Sequence, residues 1–140
     1  APNIGSLFRM ADAFGIEKLI LCGDNISLGR KTAKTSRATE KVIHYEIQES
    51  AIEIVESLKR QGYQIISLEI TATSNPIHNF KFLKNQPLAL IIGDENFGIS
   101  ENILNSSDHI IHIDMYGQNS SMNVVQATNI ALYEITKQIL

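Results

Sequence analysis

The chain has 140 residues, of which 44% are hydrophobic and 19% charged, a composition typical of one ordinary globular domain. The formal net charge of −3 argues against a strongly basic surface for nucleic acid, but it is compatible with a local basic patch. No run approaches the length of about 18 apolar residues that a membrane helix needs. The single cysteine, Cys22, cannot form an internal disulfide, so we expect a small buried side chain in a protein of the reducing cytoplasm.

The first part of the chain has apolar patterns that predict one helix and two strands. Apolar residues at helical spacing predict an amphipathic helix over residues 3–14, which Gly15 ends. The apolar run 18–22 predicts a buried strand. Residues 29–41 are polar and basic and predict a loop, whereas alternation over residues 42–47 predicts another short strand.

The rest of the chain continues this alternation of helices and strands. Ser50 and Glu53 form a capping box at the start of a helix. Ser100 can cap a short helix through Leu104, and residues 71–86 form a polar connection. Apolar runs predict three more strands, at residues 63–70, 88–93 and 109–115.

This pattern predicts a single α/β domain over residues 1–140, with a mostly parallel sheet and helices on both faces. Ligands of such sheets bind at the carboxyl ends of the strands. Three loops with unusual polar residues follow predicted strands there, at residues 23–41, 93–100 and 114–121. We therefore expect a site assembled from these loops.

The last helix is predicted from about Met122 to Ile139 and is apolar on most of its surface. Ser120 or Ser121 can cap it, but a cap does not explain Asn123 in the first turn. A helix that is apolar on most sides is buried, and a chain of this size is unlikely to enclose a terminal helix by itself. This helix therefore predicts a homodimer interface.

Common nucleotide and metal signatures are absent from the sequence. There is no G-x-G-x-x-G, no P-loop lysine motif and no C-x-x-C. The four histidines lack a metal-binding spacing, so no metal site is predicted. His109 and His112 flank a strand core and point to opposite faces, which favours structural or exposed roles.

Two other stretches have both an ordinary interpretation and a functional one. Arg9 and Gly5 share a helix face, which is either plain surface or a flat polar face open to a ligand. Gly93 and Gly98 surround Glu95 after a strand. They either form a turn that needs positive φ, or let a flat ligand lie on the backbone beside a carboxylate.

Three stretches of the sequence, taken in this order and at their spacing along the chain, together resemble one protein family. The first contains Asn3, Gly5, Arg9, Ala11, Phe14 and Gly15. The second contains Gly93, Glu95 and Gly98. The third contains Ile113, Met115, Gly117, Ser121, Met122 and Asn123. Together they resemble the SpoU (TrmH) family of RNA 2′-O-ribose methyltransferases, in the SPOUT superfamily.

The resemblance implies a C-terminal deep trefoil knot, whose loops 93–98 and 114–121 hold S-adenosylmethionine in a bent shape. It also implies a homodimer through the first and last helices. The cofactor-binding residues that it implies are Leu68, Gly93, Gly98, Ile113, Met115, Gly117, Ser121 and Met122.

The implied reaction moves a methyl group to a ribose 2′-hydroxyl of tRNA or rRNA, a group that only RNA has. Arg9, delivered from the partner subunit, would orient the hydroxyl and grip phosphate, since guanidinium is a poor base. The resemblance places four further residues around Arg9 and the ribose: Asn3, Glu95, Ser121 and Asn123.

A basic stretch of the loop 29–41 is the predicted RNA-binding patch. Its residues are Arg30, Lys31, Lys34, Arg37 and Lys41. The chain departs from the family at Asp114, where proline is usual, and this adds a carboxylate near the cofactor loop. The family's first strand, expected before Asn3, is missing, so either the chain is a minimal member of the family or an N-terminal strand or extension lies outside this sequence.

Two alternatives stay open at this point. One is a catalytically silent, knotted RNA-binding dimer, suggested by Asp114 and the negative net charge. The other is a flavodoxin-like binding domain, suggested by the βα alternation alone and disfavoured by the absent phosphate loop.

Overall fold

The computed structural model describes residues 2–23, 43–94, 96–117 and 122–140, apart from the side chains of Pro2 and Asn3. The chain divides into two compact units, Ala1–Ala51 and Ile52–Leu140. None of the helices in the described ranges is long and apolar enough to cross a membrane.

The first unit contains helix α1 (Pro2–Ala13) and the parallel strands β1 (Leu19–Cys22) and β2 (Tyr45–Gln48). Phe8 of α1 is fully buried and meets the ring of Tyr45 edge-on, with the ring centroids 5.2 Å apart. Burying a side chain of this size stabilises a fold by about 1.5–3 kcal/mol. The amphipathic pattern predicted for this helix is therefore confirmed.

A Schellman motif ends α1, as the position of Gly15 predicts. Gly15 has a φ of 65°, and its N–H donates to the Asp12 carbonyl at 3.3 Å. The N–H of Ile16 donates to the Ala11 carbonyl at 2.8 Å. These two bonds satisfy carbonyls that the helix end leaves without partners.

Cys22, the last residue of β1, is exposed, so the prediction of a buried cysteine was wrong. The preceding strand residue that points inward is Leu21, which is buried, and alternation along the strand turns Cys22 outward. Neighbouring protein atoms still shield the thiol in part, and this loss of hydration raises the pKa of Cys22.

The chain after β2 forms helices α2 (Ala51–Arg60), α3 (Glu101–Ser106) and α4 (Val124–Ile139). Its strands are β3 (Gln64–Leu68), β4 (Asn75–Pro76), β5 (Leu88–Ile91) and β6 (His109–His112). These strands form one sheet in the order β4-β6-β3-β5, and every neighbouring pair is parallel. The predicted parallel α/β architecture is confirmed for this sheet.

Strand β3 lies at the centre of the sheet, between β5 and β6. Ile66 pairs with Leu90 on one side and with His109 on the other. Ile65, Ile66 and Ser67 are completely buried, as expected of a parallel strand covered on both faces.

One face of α4 packs on this sheet. Ala131 and Ile135 join a buried cluster with Ile66 of β3 and Ile111 of β6. Thr128 and Leu132 complete a buried stripe at helical spacing. The expectation that the fold could not cover this helix was wrong for this face. Two large side chains on its other sides remain exposed, Ile130 at 43% and Tyr133 at 56%.

The cap of α4 also differs from the prediction, because it is Asn123 and not Ser120 or Ser121. The Asn123 side chain accepts a hydrogen bond from the Val125 N–H at 2.8 Å. Asparagine is among the preferred residues at this position. This capping role accounts for the asparagine that the serine caps left unexplained.

The connection 71–86, polar in sequence, contains β4 and a short 3₁₀ helix, Ile77–Asn79, which the sequence pattern missed. Gln138 of α4 ties the following segment to the helix. Its Oε1 accepts from the Phe82 N–H, and its Nε2 donates to the Phe80 carbonyl, both at 2.9 Å. A side-chain amide here replaces the backbone partners that a strand would have provided.

Candidate functional site

A cleft of about 920 Å³ opens in the second unit, at the carboxyl ends of β3, β5 and β6. Its walls come from the residues that follow these three neighbouring parallel strands and from the beginning of α4. This is the edge of a parallel sheet where ligands bind, and it is where the sequence predicted a site.

Six of the eight predicted cofactor-binding residues line this cleft. They are Leu68, Gly93, Gly98, Ile113, Met115 and Met122. Gly117 is described but does not line the cleft, and Ser121 lies outside the described residues. Apolar side chains that end β3, follow β6 and precede α4 therefore face one space beside two glycines that follow β5, as a flat aromatic ligand requires.

The segment after β5 folds back on itself. The Gly98 N–H donates to the Asp94 carbonyl at 2.8 Å, and the Asp94 N–H donates to the Gly98 carbonyl at 3.3 Å. The Asp94 carboxylate accepts from the N–H groups of Asn96 and Phe97 at 2.7 and 3.1 Å. An aspartate that binds the next backbone donors in this way stabilises a tight turn.

The two glycines of this turn are needed for different reasons. Gly98 has a φ of 68°, the left-handed conformation that favours glycine. Gly93 does not have a positive φ, so the turn interpretation was wrong for it. A Cβ at Gly93 would lie only 2.5 Å from the carbonyl carbon of Gly98. Close backbone packing therefore requires glycine at position 93.

Glu69 connects this turn to the end of β3, a role that the sequence analysis missed. One carboxylate oxygen accepts from the Ile70 N–H at 3.1 Å, and the other accepts from the Ile99 N–H at 3.2 Å. A Cβ at Gly98 would lie 2.6 Å from the carboxylate. The signal in the sequence was a carboxylate placed directly after a largely buried strand.

Asp114, the departure from the family pattern, follows β6 and makes two histidine contacts. Its Oδ1 accepts from His112 Nε2 at 2.8 Å, and its Oδ2 lies 3.6 Å from His78 Nδ1. His112 also shares a hydrogen bond of 2.8 Å with the Ser74 hydroxyl. His112 was expected to be structural or exposed, and both of its ring nitrogens make hydrogen-bond contacts that the sequence did not reveal.

The ionisable side chains that line the described part of the cleft are acidic apart from His112. They are Glu69, Asp94 and Asp114. No Lys or Arg is found among the described lining residues. These carboxylates favour a cationic ligand, because low-dielectric walls strengthen their field.

The predicted catalytic residues are only partly described. Arg9 is exposed on α1 in the first unit, whereas Gly5 on the same helix is buried, so the glycine backbone is not an open surface there. Asn123 lines the cleft. The Asn3 side chain, Glu95 and Ser121 lie outside the described residues.

The predicted RNA-binding residues 30, 31, 34, 37 and 41 also lie outside the described part of the chain. Among the residues that the structure does describe, no group of three or more His, Cys, Asp or Glu side chains could hold a metal ion.

Comparison with known proteins gives consistent results. The chain is 28% identical over 138 residues to the 23S rRNA (guanosine(2553)-2'-O)-methyltransferase RlmP of Bacillus subtilis, covering 95% of this chain and 52% of RlmP. It is 27% identical to the tRNA (guanosine(18)-2'-O)-methyltransferase of Aquifex aeolicus, covering 97% of this chain and 64% of that protein. The chain thus spans roughly half to two thirds of the length of these relatives.

The fold has a close counterpart among solved structures. The SpoU methyltransferase AviRb from Streptomyces viridochromogenes, solved with AdoMet, superimposes with a TM-score of 0.86 at 26% identity. The match covers 99% of this chain and 56% of AviRb. The model of the SpoU rRNA methylase family matches residues 1–133. The chain therefore belongs to the SpoU rRNA methylase family.

Proposed function

We propose that this protein is an S-adenosylmethionine-dependent methyltransferase that modifies a ribose 2′-hydroxyl of tRNA or rRNA. The observation that carries the proposal is the cleft at the carboxyl end of the sheet, where six residues expected to bind the cofactor come together. Family membership and the methyltransferase names of the relatives support the same reaction.

The chemistry of the cleft fits this cofactor. Leu68, Ile113 and Met122 offer apolar faces for the adenosine, and backbone groups of the loops 93–98 and 114–121 would bind the adenine edge. S-adenosylmethionine carries a positive sulfur, which suits a cleft whose described ionised groups are carboxylates. When bound, it supplies an activated methyl group.

The task left to the protein is to prepare the hydroxyl group. Arg9 holds its proton too strongly to act as a base at neutral pH, so its role is to grip phosphate and orient the ribose. Positioning of this kind can lower a barrier by about 7–11 kcal/mol. Asn123 lines the cleft and would direct its amide Nδ2 to the ribose while its oxygen caps α4. Asn3, Glu95 and Ser121 complete the proposed catalytic set.

The proposal includes the family's knot and its homodimer through the first and last helices. The exposed Ile130 and Tyr133 on α4 support the dimer, since large apolar groups on one helix face favour association. In this arrangement the partner subunit supplies Arg9 to the cleft. The RNA would be held by the basic residues of the loop 29–41, so binding should weaken as salt increases.

Methyl transfer to unmodified RNA tests the proposal directly. We would incubate the protein with labelled S-adenosylmethionine and tRNA or rRNA transcripts, digest the RNA and identify 2′-O-methylated nucleosides. RNA binding without cofactor binding or methyl transfer would favour the catalytically silent alternative. A protein that binds neither the cofactor nor RNA would overturn the proposal, and a bound flavin would favour the flavodoxin-like alternative.

Replacement of Arg9 by alanine separates catalysis from cofactor binding. We expect Arg9→Ala to lower the transfer rate by a factor of about 100 or more, with little change in cofactor affinity, because the ribose hydroxyl is no longer oriented. Calorimetry and single-turnover transfer measure the two effects. Arg60→Ala, at the end of α2, is the matched control and should retain both. Equal losses of binding and transfer in Arg9→Ala would show that the role of Arg9 is misassigned.

A further inference from the structure

The segment 113–116 forms one wall of the cleft without belonging to a helix or strand. Ile113 and Asp114 line both the cleft and a second cavity, of about 520 Å³. The Ile113 side chain packs against the buried core cluster, whereas Tyr116 is 90% exposed. Packing therefore fixes only the start of the segment, and the position of Asp114 depends on its polar contacts.

The Asp114 carboxylate supplies these contacts. It accepts a hydrogen bond from His112, at the end of β6, and its Oδ2 lies 3.6 Å from Nδ1 of His78 in the 3₁₀ helix. A single side chain thus connects the cleft wall both to the strand just before it and to a helix much earlier in the chain.

The His112 ring that donates to Asp114 is itself held by a hydrogen bond at its other nitrogen. His112 Nδ1 lies 2.8 Å from the hydroxyl oxygen of Ser74. The Ser74 hydroxyl donates to the Thr71 carbonyl at 2.9 Å and accepts from the Thr71 N–H at 3.0 Å. The imidazole ring is therefore oriented by a closed turn, and its Nε2 is directed at the carboxylate. Hydrogen bonds to charged groups are the stronger ones in proteins.

We propose that Asp114 is a positioning residue for the cofactor, which rests on the function proposed above. By binding His112 and His78 together, its carboxylate holds Ile113 and Met115 in the shape that accepts the adenosine. Asp114 acts through the cleft wall and not on the reacting atoms, so its loss weakens cofactor binding and spares the transfer step.

Calorimetric binding of two probes tests the proposal. S-adenosylmethionine carries a positive sulfur, whereas S-adenosylhomocysteine has a neutral one but the same adenosine. Asp114→Ala should weaken both ligands by a similar factor of about 10, while the transfer rate at saturating cofactor changes by less than about twofold. Asp114→Asn, which can still accept from His112, should lose less.

A double-mutant cycle adds a readout that a purely structural change would not give. His112→Gln should weaken binding nearly as much as Asp114→Ala, and the double variant should lose no more than the larger single effect, since both remove one contact. Asp108→Asn is the matched control. The Asp108 carboxylate accepts from the Ile65 N–H at 2.7 Å, immediately before β6, far from the cleft. Asp108→Asn should lower the melting temperature of the protein and leave the affinities for both ligands unchanged.

Unchanged affinities in Asp114→Ala, or additive losses in the cycle, would overturn the proposal. A loss confined to the cationic ligand would also overturn it, because the carboxylate would then act by direct attraction. Failure of the unaltered protein to bind either ligand is a different result, which would refute the proposed function itself.

Discussion

Two segments of the same cleft are held in different ways. The turn 93–99 is fixed mainly by its own backbone, through the Asp94–Gly98 bonds and the close approach of Gly93 to Gly98. The segment 113–116 is held by side chains, through the packing of Ile113 on the core and the contacts of Asp114 with two histidines. Backbone packing tolerates almost no change of residue, whereas a side-chain contact can be weakened in steps. The two segments should therefore respond very differently to substitution.

The most severe test of this comparison is Gly93→Ala. The added Cβ would lie 2.5 Å from the Gly98 backbone, which has no flexible side chain to move away. We expect the affinity for S-adenosylmethionine to fall by about 100-fold, measured by calorimetry. Gly62→Ala is the control, because its φ of 90° imposes strain without any neighbour to collide with. It should lower the melting temperature and leave the affinity unchanged. An affinity within about threefold of normal in Gly93→Ala would contradict the packing argument.

Glu69 lies between the two cases, because a side chain here holds a backbone turn. Glu69→Ala removes the acceptor of the Ile99 N–H and should weaken cofactor binding by about tenfold. Glu69→Gln keeps one acceptor oxygen and should recover part of this loss. Glu101→Gln, at the exposed start of α3, is the control with the same change of charge. If Glu69→Gln weakened cofactor binding as much as Glu69→Ala, the loss of charge rather than of hydrogen bonding would explain the effect.

The smallest expected effect is a loss of stability when Asn123 is replaced. Asn123 has a structural role and a proposed catalytic role. Asn123→Ala removes the α4 cap and should lower the free energy of unfolding by about 1 kcal/mol, measured in urea. Asn123→Ser retains a capping oxygen and should restore stability without restoring methyl transfer. Full recovery of transfer in Asn123→Ser would show that capping is the only role of this residue.

Much of the fold could be predicted because its signals are local. Apolar runs located the strands within a few residues, and helical spacing located α1 and α2. The strand β4 was missed because Asn75-Pro76 lacks an apolar pattern and forms a strand only by pairing with β6. The exposed Cys22 and the single buried face of α4 depend on which neighbours are near, and one sequence does not contain that information.

The sequence predicted the part of the cleft where the backbone conformation itself requires particular residues. Gly93 and Gly98 are recognisable because few other residues fit their positions. Contacts between distant side chains left no such pattern. His112 and Asp114 are neighbours in sequence, but His78 approaches Asp114 only because β4, which immediately precedes the 3₁₀ helix, pairs with β6. The connection of Glu69 to the turn 93–99 depends in the same way on β3 and β5 being neighbours.

The amide of Gln138 has a practical consequence for handling this protein. Removal of Gln138 would affect a distant part of the chain, because its side chain holds the backbone at Phe80 and Phe82. A shortened variant would release a segment more than fifty positions earlier in the chain, since these bonds span 56 and 58 residues.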